Sequence, residues 1–524
     1  MTTIDVEALI SALPRRLSDI PSYWAGRTPD AVALSENGRQ ISYRRLNEAV
    51  DEAVVLLVDL GVRPGDRLMI VAENCMAQLV LVFAAARMDT WAVNVNARLS
   101  LSEIDAIGKH CGARRVVYTH GSSAEAYAHA QRGGASKVSL GDIGDIAIGP
   151  INPACEPEPV DAEGSKQVAV LLYTTGTTGQ PKGVMLTHRN LLFIAAVSGH
   201  VRGLINTDRA YGVLPITHVF GLASVALGTL YAGASLYLAA RYSPAALIAS
   251  VRNDSLTILQ GVPAMYARLL EHDRAGWDPS TSALRFIYAG GSPLDATLKD
   301  NVERLFKLPL HNGYGMTESS PTISQTRVDA PRRDTSVGSV IPGVDIRIVD
   351  VTGVDLAAGE AGELWVRGPN VMKGYYRDPE LTAATINPDG WLNTGDIARC
   401  SPDGALFIVG RTKELIIRSG FNVYPVEVES ALNSHPAVVQ SAVVGRFLPG
   451  GNEEVVAFVE LDPAHHHIGP ADLMAYLEPI LAAYKRPAQI IVMDAMPAAA
   501  TGKILKGELK QLAQRLHDAP ESSI

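Results

Sequence analysis

Apolar residues along this chain alternate between two spacings. The stretch EAVDEAVVLLVDLG (48–61) repeats at the helical interval and stops at a glycine. PGDRLMIVAEN (64–74) carries the short apolar run LMIVA behind a turn, and ARRVVYTH (113–120) and KVSLGDI (137–143) supply two more such runs. Short apolar runs alternating with helical segments predict layered α/β architecture with parallel strands. LVLVFAAARMDTWAV (79–93) is interrupted by Arg87 and Asp89, so it predicts a buried helix entering a strand, not a membrane span.

GPINPACEPEPVDAEG (149–164) is a Pro- and Glu-rich connector to a second α/β unit. There, 216–239 predicts a buried helix feeding a strand, and 255–272 and 284–306 each predict strand, turn and helix. From Val337 the texture changes to short β segments (IRIVD, GELWVRGP, GALFIVG) separated by Gly, Pro and Asp, as in a small barrel or meander. After Gly410 a strand, turn, helix, strand order predicts a compact α+β domain. The expected division is an N-terminal body over 1–410, a hinge at 411–413, a C-terminal domain over 414–510 and a tail over 511–524.

Composition adds bounds. A chain of 524 residues exceeds what one core usually sustains. With 47% hydrophobic and 19% charged residues it has a globular make-up, and its net charge of −9 gives no global reason to expect nucleic-acid binding. Four scattered cysteines form neither a disulfide framework nor a zinc pattern. The first residues lack a basic flank followed by an apolar core, which predicts a cytoplasmic protein.

Five polar stretches carry candidate chemistry. YTTGTTGQPKG (173–183) places Thr174, Thr175, Gly176, Thr177, Thr178, Gly179 and Lys182 directly after an apolar run. Glycines let backbone approach an anion while N–H groups and hydroxyls donate to it. The spacing is not a Walker motif, and a mobile surface turn is the alternative. HNGYGMTESSPT (311–322) sets Thr317 and Glu318 at the end of a Gly-rich turn, as phosphate and Mg²⁺ contacts or as a helix cap. Asp396 in GWLNTGDIARC suits ribose hydroxyls or an Asx turn. Arg411 sits at the domain boundary, and Lys503 lies on a Gly-containing turn near the chain end. Jointly they predict a nucleotide site between domains.

In combination, YTTGTTGQPKGV, LPITHVFG, YAGGSPL, GYGMTES, GELWVRGPNVMKGYY, GWLNTGDI, GRTKELI, SGFNVYPVEVE and PAAATGK resemble the adenylate-forming superfamily nearly end to end. That family includes acyl- and aryl-CoA synthetases, 4-coumarate:CoA ligases, luciferases of the firefly type and peptide-synthetase adenylation domains. The resemblance implies a large N-terminal domain of two α/β subdomains plus a β-barrel, with a smaller mobile C-terminal domain. It implies ATP, Mg²⁺ and coenzyme A as cofactors, a small carboxylate as substrate, and a possible homodimer.

Carried over, residues 174–179 and Lys182 become the β/γ-phosphate loop, Thr317 the α-phosphate contact and Glu318 the metal ligand. Asp396 and Arg411 become ribose contacts, and Gly291, Ser292, Asn312, Gly313 and Tyr314 the adenine wall. Lys503 becomes the catalytic lysine, spanning the attacking carboxylate and the α-phosphate. His218 becomes an aromatic gate, Lys413 the hinge, Gly420 the point of close thioester approach and Arg241 a CoA phosphate contact. None of the 13 histidines is needed as a base, because the carboxylate is already a nucleophile.

Ile417, Ser419 and Asn422 depart from the coumarate-ligase pattern of basic and glutamine residues; Asn422 keeps a shorter reach to AMP. The acyl pocket is expected from His218, Phe220, Gly221, the 288–292 strand end with Gly290, Gly313 and Pro321-Thr322. That set contains no arginine, which favours an aromatic or medium-to-long aliphatic monocarboxylate over a dicarboxylate. A ligase loading a carrier protein and a non-catalytic nucleotide-binding protein are the rival readings.

Overall fold

The computed structural model describes residues 4–175, 181–272, 277–419, 421–448, 452–462, 465, 467–498 and 504–518. Strand Arg67–Ala72 is buried along its whole length, so both its edges need partners. Trp91–Asn96 and Arg115–Tyr118 supply them, both parallel. Val168–Thr175 joins beyond Trp91–Asn96 in parallel and pairs antiparallel with Pro181–Thr187. Gly374–Tyr375, distant in sequence, closes that edge of an eight-stranded sheet.

Two expectations shift here. The run at 137–143 forms strand Ser136–Ser139, but it is an edge strand antiparallel to Asp145–Ile148. Its mostly exposed polar residues suit an edge. The helix predicted from residue 48 starts at Tyr43, because the Ser42 side chain accepts from Arg45 N and caps it.

The second unit is a nine-stranded sheet. Its parallel centre runs Leu310–Gly315, Phe286–Ala289, Ile258–Gly261, Arg209–Gly212, Ser235–Leu238 and Val32–Glu36. Val32–Glu36 comes from the N-terminal segment, so the first residues of the chain complete the second sheet. Helix Met76–Arg87 is buried from Met76 through Ala86. Arg87 leaves the apolar layer by reaching Asp51 and the Ser18 carbonyl. Helix His188–Val201 and the helical segment Phe220–Tyr231 are equally apolar, and one continuous core joins the two sheets.

The barrel or meander expected after Val337 is a four-stranded antiparallel sheet in the order Asp345–Val349, Ala361–Arg367, Leu392–Cys400, Leu406–Arg411. Beyond it, Val438–Phe447, Glu453–Leu461 and Gln489–Met493 form a separate three-stranded sheet with its own apolar clusters. Among the described residues no helix is long and apolar enough to cross a membrane.

One close approach fixes how the second sheet meets the turn after it. A Cβ at Gly315 would lie 1.7 Å from the Pro321 carbonyl oxygen, which accepts the Met316 N–H at 3.0 Å. Gly315→Ala must therefore push backbone apart, at a cost of roughly 1–3 kcal/mol. A lower thermal unfolding midpoint by circular dichroism is the expected outcome; an unchanged midpoint would contradict the tight turn.

Candidate active site

The Gly315 turn delivers Thr317–Ser319 as a short helical turn in which Thr317 and Glu318 are both buried. A buried carboxylate requires donors. Glu318 Oε1 accepts the Tyr375 hydroxyl at 2.8 Å; among the described residues Oε2 accepts no hydrogen bond. Its backbone carbonyl takes the Met372 N–H at 2.9 Å. Tyr375 lies on the strand that pairs with Pro181–Thr187, so the turn and the phosphate strand are held by one segment, 372–376. Lys182 sits opposite Thr174 on that strand, its Nζ 5.7 Å from the Tyr375 ring centroid. Cation and carboxylate are thus both placed against the same tyrosine.

Asp396 is the second buried carboxylate. Its oxygens are taken by the Tyr314 hydroxyl and by Arg411 Nε at 2.9 Å, Arg411 being its direct cross-strand neighbour. The TG turn before Asp396 is held by Asn393, whose Oδ1 accepts the Gly395 N–H at 2.8 Å. Burial, reinforced by the adjacent carboxylate, drives both tyrosine hydroxyls well above their ordinary pKa, so each remains a donor at any physiological pH. Arg411 lies within electrostatic range of Asp396, Tyr314 and Glu318 together. Thr317, Glu318, Tyr314, Asp396 and Arg411 therefore form one constellation, with Lys182 joined to it through Tyr375.

On the acyl side, Phe220 and Tyr288 meet edge to face at 5.9 Å, and Gly290 lies against both rings. Gly221 is required by backbone approach, since a Cβ there would lie 2.1 Å from the Pro215 carbonyl oxygen. His218 is exposed just ahead of the helical segment, with its Nδ1 accepting the Phe220 N–H at 3.3 Å. Gly291 has φ +84°, which turns the chain at the strand end and presents Ser292 beyond it.

Two family models divide the chain. One described as AMP-binding enzyme matches residues 22–376, and one described as AMP-binding enzyme C-terminal domain matches 427–503. The chain belongs to the adenylate-forming AMP-binding enzymes. A feruloyl-CoA synthase from Amycolatopsis sp is 35% identical over 500 residues, covering 94% of this chain and 98% of that protein. ATP-bound MatB from Rhodopseudomonas palustris superposes with a TM-score of 0.84 at 30% identity, covering 95% of this chain and 99% of that one. The o-succinylbenzoate coenzyme A synthetase MenE from Bacillus subtilis, in complex with ATP and magnesium ion, gives 0.80 at 29%, covering 94% and 99%.

Other expected residues of this AMP-binding enzyme sit apart from the constellation. Arg241, its side chain half-exposed, pairs with Glu73 at 2.9 Å and with Glu125. Asn312 donates to the Thr335 and Ser336 carbonyls, both at 3.2 Å, and so holds that loop against the strand Leu310–Gly315. Ile417 and Asn422 face each other across a small hairpin, with Ser419 at its turn at φ +52°. Gln- and Lys-type contacts are absent from that pair. Lys413 occupies the single turn Thr412–Glu414 after Arg411. Gly176, Thr177, Thr178, Gly179, Gly420 and Lys503 lie outside the described residues, as does the Thr175 side chain.

Three contributors were not picked out from sequence. Tyr375 lies in GELWVRGPNVMKGYY, where its signal is an aromatic beside a glycine after a β segment. Asn74 pins the LPITH loop, donating to the Gly212 and Leu214 carbonyls and accepting the Ile216 N–H. Lys506 binds Glu414 at 3.2 Å and Glu429 at 2.7 Å, tying the helix after Lys503 to the segment after Lys413. Tyr375→Phe should keep the fold but free the Glu318 carboxylate, and a hydrogen bond to a charged group contributes about 1.5–3 kcal/mol. The expected result is a several-fold higher magnesium requirement in pyrophosphate release, with the carboxylate KM changed less. An unchanged magnesium dependence would remove Tyr375 from the site.

Proposed function

We propose that this protein is an AMP-forming carboxylate–CoA ligase that activates an aromatic or medium-to-long-chain monocarboxylate. What carries the reading is the pair of tyrosine-capped buried carboxylates, Glu318 and Asp396, flanking Arg411 beside the phosphate strand. In the first half-reaction a substrate carboxylate oxygen forms a bond to the α-phosphorus of ATP as the bond to pyrophosphate breaks. In the second, the CoA thiol, losing its proton, attacks the acyl carbon and AMP leaves.

Asp396 is suited to accept ribose hydroxyls, with Arg411 holding it ionised and in place. Thr317 supplies a hydroxyl for the α-phosphate. Residues 174–179 and Lys182 grip the β- and γ-phosphates, and Glu318, with an oxygen unused by Tyr375, holds Mg²⁺. An ion held there would supply neutralisation of phosphate charge. Lys503 stabilises the charge that develops as the P–O bond forms. The C-terminal domain then turns about Lys413 so that the hairpin around Ser419 and Asn422 serves the thioester step. The presence of feruloyl-CoA and o-succinylbenzoate-CoA synthetases among the relatives supports an acid with a ring. CoA is the favoured acceptor, the relatives being named for it.

Incubation with ATP, Mg²⁺ and a panel of benzoates, cinnamates and C2–C18 fatty acids should release pyrophosphate, with thioester formed only when CoA is added. Silence across the whole panel would overturn the reading. Lys503→Ala should depress adenylation by about 100-fold or more while sparing thioester formation from supplied acyl-AMP, in line with the loss of one preorganised charge at the transition state. Equal loss of both steps would remove the lysine from its assigned role.

A further inference from the structure

Behind the acyl pocket lies a buried cation that the site reading leaves without a task. Arg202 is 1% exposed. Its guanidinium carbon stands 4.6 Å from the Tyr288 ring centroid, Nη1 donates to Gln260 Oε1 at 2.7 Å and to the Ser224 carbonyl at 3.2 Å, and Nε donates to Gln325 Oε1 at 3.2 Å. Every one of these partners is neutral, and among the described residues Arg202 forms no ion pair. Burial alone pulls its pKa down. A guanidinium held this far from water ordinarily has a carboxylate beside it.

The hydrogen-bonding balance around it is one-sided. Arg202 Nη2, Gln260 Nε2, Gln325 Nε2 and Ser324 Oγ are all buried and without a hydrogen-bond partner among the described residues. Three of the four are donors only. The sheet carries this donor-rich patch to the pocket. Gln260 and Tyr288 are register partners on adjacent strands, and Gln325 is the partner of Gly313. Tyr288 closes the pocket from that side: a Cβ at Gly313 would lie 2.0 Å from its hydroxyl, and one at Gly290 would lie 3.1 Å from its ring.

We propose that Tyr288, backed by Arg202, Gln260 and Gln325, is the specificity floor of the acyl pocket, selecting acids that carry a hydrogen-bond-accepting oxygen at the end remote from the reacting carboxylate. This rests on the ligase reading and deepens it. Tyr288 presents the phenolic hydrogen to the acid; Arg202 is a positioning residue that acts through the phenol and supplies the positive field. The two glutamines fix the guanidinium by their carbonyl oxygens and leave their amide donors without a partner among the described residues. An acid ending in a methyl group would leave those donors buried and unmatched, which a site built for hydrogen bonding penalises.

The test compares benzoates and cinnamates bearing para-hydrogen, methyl, hydroxyl or carboxylate groups in pyrophosphate release. An oxygen-bearing acid should exceed its methyl counterpart by about tenfold or more in kcat/KM. Preference for hydroxyl over methyl would identify a neutral acceptor at Tyr288 and support the proposal; preference for carboxylate over hydroxyl would overturn it together with the monocarboxylate part of the ligase reading. Tyr288→Phe should bring the ratio to about one, as expected for loss of one discriminating hydrogen bond. Gln260→Glu, which hands Arg202 a counter-ion, should lower the same ratio without removing the phenol. Turnover of the panel with no preference for oxygen, or a ratio unmoved by Tyr288→Phe, overturns the floor and leaves the ligase reading standing. No pyrophosphate from any acid overturns both.

Discussion

Two carboxylates withdrawn from water at one place are the constraint on which the rest of this structure depends. Glu318 and Asp396 are each capped by a tyrosine hydroxyl supplied from a distant part of the chain, Tyr375 and Tyr314 respectively. Without those donors, burying either charge would cost several kcal/mol or force protonation. The segment that brings Tyr375 also pairs with the phosphate strand, and the strand that brings Tyr314 also forms the acyl side. Satisfying the carboxylates therefore locks together the two α/β units and the four-stranded sheet. The third partner, Arg411, stands where the chain leaves that sheet for the C-terminal domain.

The same principle, read with the opposite sign, governs the acyl pocket. Arg202 is buried among neutral acceptors and an aromatic face, so its charge is solvated by dipoles and a π-system but not cancelled. A Cβ at Gly221 would meet the Pro215 carbonyl oxygen and one at Gly313 the Tyr288 hydroxyl, so both glycines are required by the packing of the chain on itself.

Much of this was legible in the sequence. The helix at Met76–Arg87, the strand–helix repeats of the second unit and the change of texture after Val337 follow from apolar spacing, which burial imposes residue by residue. So did the grouping of Thr317, Glu318, Asp396 and Arg411, because their motifs each place a charged or hydroxyl side chain on a Gly-containing turn or strand end. The direction of the edge strand at Ser136–Ser139 was not legible, since an alternating run does not say how its neighbour runs. Nor was the pairing of Arg241, whose carboxylates come from 168 and 116 residues away along the chain.

By itself, then, the sequence determined the family, the order of the elements and which residues carry charge into the site, because these depend on local spacing and on residue types at short range. Only the tertiary structure decided which of those charges are met. Tyr375 found Glu318, Glu73 and Glu125 took Arg241, and among the described residues Arg202 was left with no counter-ion. Each outcome is a long-range pairing in a medium of low polarity, where a partner a few ångströms away changes the meaning of a side chain. No pattern along the chain records that distance.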